Sequence, residues 1–283
     1  MRWSVPLLLF TACTAAPPAP LPLDPSPLAS ALPTEPEPPP AASSPAPAPP
    51  AEEPPPPPPP LGGARLRSLP VAGFGDAVVA VPTRATDPRP VLVATHGNYD
   101  KPDWQCQVWG QIVQDRGFVL CPRGVPRRDS PSPKDTRYEY ASNPSLEQEI
   151  DAGLASLSAA FPGFVDNGPV VLAGFSLGAI LAVAIATRRP ERFPRLVLVE
   201  GGDGWTLQAA RSFRKGGGQR VLFACSQGGC LASARVASGT LKKAALEVEI
   251  AKGKNEGHTY VGDVMERYAE RFPWLTEGDE RWR

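Results

Sequence analysis

Residues 169–187 read Pro169-Val-Val-Leu-Ala-Gly174-Phe-Ser176-Leu-Gly178-Ala-Ile-Leu-Ala-Val-Ala-Ile-Ala-Thr187. The first part, Val170 to Ala173, is continuously apolar, as in a strand buried on both faces. The second part, from Ala179 to Thr187, is an apolar helix that stops at Arg188-Arg189-Pro190, because Pro cannot continue a helix. Between the two lies Gly174-Phe175-Ser176-Leu177-Gly178. Small residues two before and two after the Ser let strand and helix approach closely. The sharp turn strains the backbone of Ser176 and presents its hydroxyl at the helix N-terminus, beyond the carboxyl end of the sheet. Ser176 is therefore a candidate nucleophile. The bland alternative is a Gly-rich turn with an incidental Ser, and the strand before and helix after weigh against it.

The same alternation extends outward. Short apolar runs at 77–81, 90–95, 118–120, 196–199, 221–224 and 246–250 read as strands. Residues 103–116 read as a helix, with Trp104, Val108, Ile112 and Val113 at helical spacing and Gly117 as its stop. Ser145 with Gln148 three residues on is a capping-box signature that opens a helix over 145–161. Residues 260–271 read as a closing helix, and 123–143 as a long polar loop. Apolar strands separated by helices predict a three-layer α/β sandwich with a mostly parallel sheet and no large cap domain. No internal repeat is visible, and no membrane span follows residue 13.

The front of the chain is of another kind. Of 38 Pro, 22 lie between Pro17 and Pro60, a stretch without Lys, Arg or aromatic residues. Such a composition cannot bury enough apolar surface to offset the entropy of ordering. Runs such as Pro54 to Pro60 favour polyproline II, and at ~3.1 Å per residue the stretch reaches roughly 130 Å when extended. Ahead of it, Met-Arg-Trp-Ser-Val-Pro-Leu-Leu-Leu-Phe-Thr-Ala-Cys13 has a positive start, a short apolar run and small residues before a Cys. That is the layout of a secretory signal. It also resembles a bacterial lipoprotein signal, although Phe10 stands where Leu is usual; in such signals the Cys is lipidated and becomes the first residue. The resemblance implies a signal over 1–12, lipidation at Cys13, a linker over 13–62 and a folded domain over 63–283. Thr14 rather than Asp after the Cys implies the outer membrane. Net charge is zero, and with the tail's carboxylates set aside the domain is only mildly basic, which excludes nothing but gives no support to a nucleic-acid partner.

A Ser hydroxyl needs a base, and the chain has two His. His258 stands in Gly257-His258-Thr259-Tyr260, after the last predicted strand and before the last helix. His96 stands in Thr95-His96-Gly97-Asn98-Tyr99, after an early strand. The order of His96-Gly97, the turn at Ser176 and the late His258 resembles the α/β-hydrolase superfamily over nearly all of residues 70–275. Esterases and dienelactone-hydrolase-like proteins are the nearest in kind. The resemblance implies Ser176 as nucleophile and His258 as base. It implies a structural role for His96-Gly97, with amides near Asn98 and from Leu177 holding an oxyanion. The acid departs from the usual pattern, since the strand at 221–224 runs into Cys225-Ser-Gln-Gly-Gly-Cys230 with no carboxylate. Glu200, at the end of the preceding strand, is favoured, with Asp203 second and an acid-free Ser–His dyad a third possibility.

With Cys13 assigned to lipid, four cysteines remain, and an even number in an exported chain points to disulfides in one of three connectivities. On the resembling fold, Cys106–Cys121 and Cys225–Cys230 are the favoured pairs, both bracing loops around the site. Spacings do not suit a structural metal, and the expected chemistry needs neither metal nor organic cofactor. The expected activity is cleavage of an ester, ahead of an amide, in a small-molecule or acyl substrate through an acyl-enzyme, with residues 123–143 bordering the pocket. The alternatives are a non-catalytic binding protein of the same fold and an acyltransferase using the same residues.

Overall fold

The chain folds around one twisted sheet of eight strands, seen in a computed structural model that describes residues 59–283. The signal expected over 1–12, Cys13 and nearly all of the Pro-rich stretch lie outside the described residues. Strands β1 (Leu66–Leu69), β2 (Ala77–Ala80), β3 (Val91–Thr95) and β4 (Phe118–Cys121) form one half of the sheet. The short β5 (Val125–Pro126) and β6 (Tyr138–Glu139) form a separate hairpin. The other half of the sheet contains β7 (Val171–Phe175), β8 (Arg195–Val199), β9 (Arg220–Cys225) and β10 (Glu247–Lys252). Spatial order is β1-β2-β4-β3-β7-β8-β9-β10, with β1 and β2 antiparallel and all other neighbours from β4 to β10 parallel. This is the expected three-layer α/β sandwich. Among the described residues no cap domain interrupts it, and residues 122–142 add the β5–β6 hairpin.

Among the described residues six α-helices cover the sheet: α1 (Pro102–Val113), α2 (Asn143–Ala160), α3 (Leu177–Arg188), α4 (Leu207–Lys215), α5 (Gly228–Lys243) and α6 (Asp263–Thr276). The two-residue period of a strand sorts its side chains between the layers. Val91, Val93, Leu172, Leu196, Leu198, Val221 and Phe223 face α2 to α5, meeting Leu146, Ile150, Ala182, Phe213 and Leu241. Leu92, Ala94, Val171, Ala173, Val197, Val199, Leu222 and Ala224 face α1 and α6, meeting Trp109, Tyr268 and Phe272. Burial on both faces explains why these strands carry unbroken apolar runs.

Several elements differ from the sequence reading. β1 precedes the first expected strand; its alternating exposed and buried pattern is that of an edge. Helix α2 starts two residues early, capped by Ser142, whose hydroxyl accepts from the Ser145 amide at 3.2 Å. Pro144 sits in the first turn, where its missing N–H costs nothing. The Ser145–Gln148 signature therefore lies inside the helix. Helices α4 and α5 were not anticipated: α5 buries only Ala234, Ala237, Ser238 and Leu241, too little bulk for a visible apolar period. Both favoured disulfides are present, with Cα–Cα distances of 5.8 Å for Cys106–Cys121 and 5.5 Å for Cys225–Cys230. No described helix is long and apolar enough to cross a membrane.

Candidate active site

The topology fixes where a site can form. From β3 the chain passes through α1 to β4 on one side, and then through α2 to β7 on the other side of β3. The crevice beyond the carboxyl ends of β3 and β7 is thus a topological switch point, the place where open α/β sheets bind ligands. His96-Gly97 leaves β3 there, and Ser176 leaves β7.

Ser176 stands between β7 and α3 with φ 51° and ψ −114°, a conformation L residues rarely adopt. Its amide donates to the Val199 carbonyl at 2.9 Å, so the turn is tied to β8. The flanking glycines are required by contact. A Cβ on Gly174 would lie 2.6 Å from the Ala179 nitrogen, and one on Gly178 would lie 2.5 Å from the Thr95 carbonyl oxygen. The strained turn and the close approach of α3 to β3 depend on both.

Glu200 follows β8, also at positive φ, 52°. Its side chain is only 1% exposed, and Oε2 lies 3.5 Å from His258 Nδ1. Its other oxygen, Oε1, accepts from the Ser226 amide and from the Gln227 amide at 3.0 Å. Those amides lie at the N-terminal end of α5, where the helix dipole and unpaired N–H groups favour an anion. The His258 side chain is 47% exposed, so its ring reaches the crevice, and it packs against Phe175 with ring centroids 5.0 Å apart. Ser176, Glu200, Asp203 and His258 all line one cleft of about 350 Å³, with Ile180, Gln227, Cys230, Ser233 and Ala234 among its walls. Asp203 is exposed, and no ion pair joins it to His258 or to any other described cation. Of the two carboxylates the sequence offered, the structure brings Glu200 to the imidazole and leaves Asp203 at the rim.

The loop expected to hold an oxyanion follows β3. A Cβ on Gly97 would sit 2.8 Å from the Phe175 ring and 3.4 Å from Ser176 Cβ, so this loop lies directly against the nucleophile turn. The Asn98 amide has no hydrogen-bond partner among the described residues, and Leu177, first residue of α3, is in the first turn, where amides lack intrahelical partners. His96 is wholly buried, stacked on Tyr140 at 4.4 Å, with its ring nitrogens facing the Gly97 and Arg123 carbonyls at 2.8 and 2.9 Å. It braces the loop from behind and does not enter the cleft.

Residues 123–143 are not among the walls of that cleft and meet the site through the Gly97–Asp100 loop. The Tyr99 amide donates to the Tyr138 carbonyl at 3.0 Å and Arg127 donates to Asn98 Oδ1 at 2.7 Å. Arg123, Tyr138 and Tyr140 line a different cavity of about 660 Å³. The buried Glu149 holds this region to α2 by accepting from the Arg123 amide at 2.7 Å and the Gly124 amide at 3.0 Å. Burial pushes the Glu149 carboxyl above its ordinary range, with those two amides pulling the other way.

Sequence reasoning missed the groups that hold Glu200 and the segment bearing His258. The Ser226 hydroxyl accepts from the Glu256 amide at 2.9 Å and donates to the Lys254 carbonyl, tying the acid's amides to the segment that carries His258. Among the described residues, no group of three His, Cys, Asp or Glu side chains is placed to hold a metal ion.

No protein-family model matches the sequence, and neither does any curated protein. Solved structures do share its architecture. An S-formylglutathione hydrolase from Agrobacterium tumefaciens superposes with a TM-score of 0.55 at 16% identity, over 75% of this chain and 94% of that one. A fluorophosphonate-binding serine hydrolase of Staphylococcus aureus, solved with substrate bound, gives 0.54 at 11% identity, over 75% and 97%. The chain spans 40% of the length of an acylaminoacyl peptidase from Pyrococcus horikoshii, with 75% of itself covered at 15% identity and a TM-score of 0.49.

Proposed function

The chain has the α/β-hydrolase fold, and on that premise we propose that it is a serine hydrolase that cleaves esters through an acyl-enzyme. The observation that carries this reading is the alignment of Ser176 on a strained turn, His258 at the same cleft, and a buried Glu200 carboxylate 3.5 Å from His258 Nδ1. Ser176 Oγ attacks the substrate carbonyl while His258 takes its proton. The carboxylate of Glu200 holds the imidazole in one orientation and balances the positive charge that forms on it. The tetrahedral oxyanion is held by the Asn98 and Leu177 amides. Collapse expels the alcohol, which receives the proton from His258 and leaves an acyl group on Ser176. Water, deprotonated by His258, then releases the acid and restores the Ser.

A cleft of about 350 Å³ walled by Ile180, Ala234 and Cys230 suits short acyl groups. The structures similar in fold include a formylglutathione hydrolase and a fluorophosphonate-binding hydrolase, which agrees with this reading without carrying it. We also propose that the domain is exported and held to the outer membrane through lipid on Cys13, with the Pro-rich stretch as spacer; the motif at residues 2–13 supports this.

The test is covalent labelling of purified residues 59–283 with a fluorophosphonate. Wild type is expected to label to near one equivalent, and Ser176→Ala to remain unlabelled. A folded wild type that labels no more than Ser176→Ala refutes the hydrolase reading.

A further inference from the structure

The segment that carries His258 is held from two sides. On the acid side, Ser226 fixes residues 254–256. On the opposite side the restraint is Tyr260. Its hydroxyl donates to Asp100 Oδ1 at 3.2 Å, its ring stands edge-on to Phe175 with centroids 4.6 Å apart, and its carbonyl accepts from the Tyr268 hydroxyl at 2.8 Å. Tyr260 and Asp100 are separated by 160 residues, so this bond joins two distant loops.

Asp100 is the unusual partner. It is 5% exposed, and no Lys, Arg or His pairs with it among the described residues. Its oxygens are satisfied by neutral donors: Oδ1 by the Lys101 amide at 2.8 Å and the Tyr260 hydroxyl, Oδ2 by the Gly97 amide and Gln105 Nε2, both at 3.3 Å. Burying a carboxylate without a cation is costly, so each of these donors matters to it. One of them, Gly97, belongs to the loop packed against Ser176 and precedes the free Asn98 amide. Another, Tyr260, lies two residues beyond His258. Burial and the adjacent Asp100 carboxylate both push the Tyr260 phenol above its ordinary value, so it remains a donor through any assay range.

We propose that Asp100 and Tyr260 are positioning residues, a strap that fixes the oxyanion loop relative to the segment bearing His258. Neither touches substrate. The strap sets the separation between the group that removes the Ser176 proton and the amide that receives the oxyanion, and small errors in such a separation are costly to rate. This inference rests on the serine-hydrolase reading.

Tyr260→Phe is the cleanest probe, since it keeps the ring against Phe175 and removes only the hydroxyl. Asp100→Asn and the double variant complete a cycle, read on a short aryl ester and by the rate of fluorophosphonate labelling. Tyr260→Phe is expected to lower kcat and the labelling rate about tenfold with KM unchanged, a loss typical of misplaced catalytic groups. Its melting temperature is expected to fall by several degrees, since the buried Asp100 carboxylate loses one donor, while the variant stays fully folded at the assay temperature. The double variant is expected to be no slower than Asp100→Asn alone, because the Tyr260 hydroxyl acts through Asp100, which also accepts from Gly97, Lys101 and Gln105. Four outcomes overturn the strap: Tyr260→Phe labelling at the wild-type rate, its activity falling only in step with its melting temperature, losses that multiply in the double variant, or a rise in KM with kcat intact. If wild type itself fails to label, the hydrolase reading falls and the strap falls with it, and that result is distinguishable from the other four. Tyr260→Phe decides the matter even if Asp100→Asn does not fold.

Discussion

Glu200 and Asp203 stand three residues apart on one loop, and their environments separate them. Glu200 is buried, faces His258 and is held by two amides, whereas Asp203 is exposed at the rim of the cleft. Glu200→Gln keeps the shape but removes the charge that orients the imidazole, so kcat on an aryl ester is expected to fall by about 10³–10⁴. Asp203→Asn is expected to stay within about twofold of wild type, as for a surface change away from the reacting atoms. A reversed ranking of the two in steady-state kinetics would place the acid at Asp203. Much of this site was legible in the sequence. Ser176 was readable because strand, turn and helix all lie within 19 residues, and contacts that demand glycine at 174 and 178 leave a pattern. Glu200 was readable as the residue that ends an apolar run. The donors that hold Glu200 were not, since backbone amides carry no side-chain signature, and neither was the Asp100–Tyr260 bond, whose members are brought together only by the complete fold.

At the scale of elements, the two disulfides have different settings. Cys106 and Cys121 are both fully buried, joining α1 to β4 under the second core. Cys225 ends β9 and Cys230 lies in the first turn of α5; between them stand Ser226 and Gln227, whose amides hold Glu200, and Cys230 itself lines the cleft. The short loop they close is therefore part of the acid's support. Mild treatment with a dithiol is expected to reduce Cys225–Cys230 first, because a thiolate must reach a sulfur to attack it. Activity is then expected to fall several-fold as Glu200 loses a fixed partner, while far-UV circular dichroism stays unchanged. A Cys225→Ser, Cys230→Ser double variant should reproduce the loss without reductant and lose sensitivity to it; full activity in that variant would remove the disulfide from the acid's support. The strands of the sheet were evident from apolar runs, because burial on both faces leaves no polar interruption. Helix α5 was hidden for the opposite reason: it packs through small residues, and its opening Gly228-Gly229 reads as a turn.

For the molecule as a whole, the sequence divides into a domain with two cores and a front segment whose composition cannot build one. Among the described residues, those placed at the cleft lie between Ser176 and His258, with the loop at 96–100 beside them. What the front segment would add is location. The proposed acylation of Cys13 would supply apolar chains that each contribute ~0.8 kcal/mol per buried methylene, and more than one chain is needed for stable anchoring. A full-length protein expressed in a Gram-negative host is expected to incorporate labelled palmitate and to partition with the membrane fraction into detergent. Cys13→Ser should incorporate none, and its exported product should appear in the soluble fraction with the same kcat on a soluble ester. Domain activity and anchoring would then be separable. A wild type that is exported, unlabelled and soluble would instead make residues 1–12 an ordinary secretory signal, and the Pro-rich stretch a spacer with no membrane at its far end.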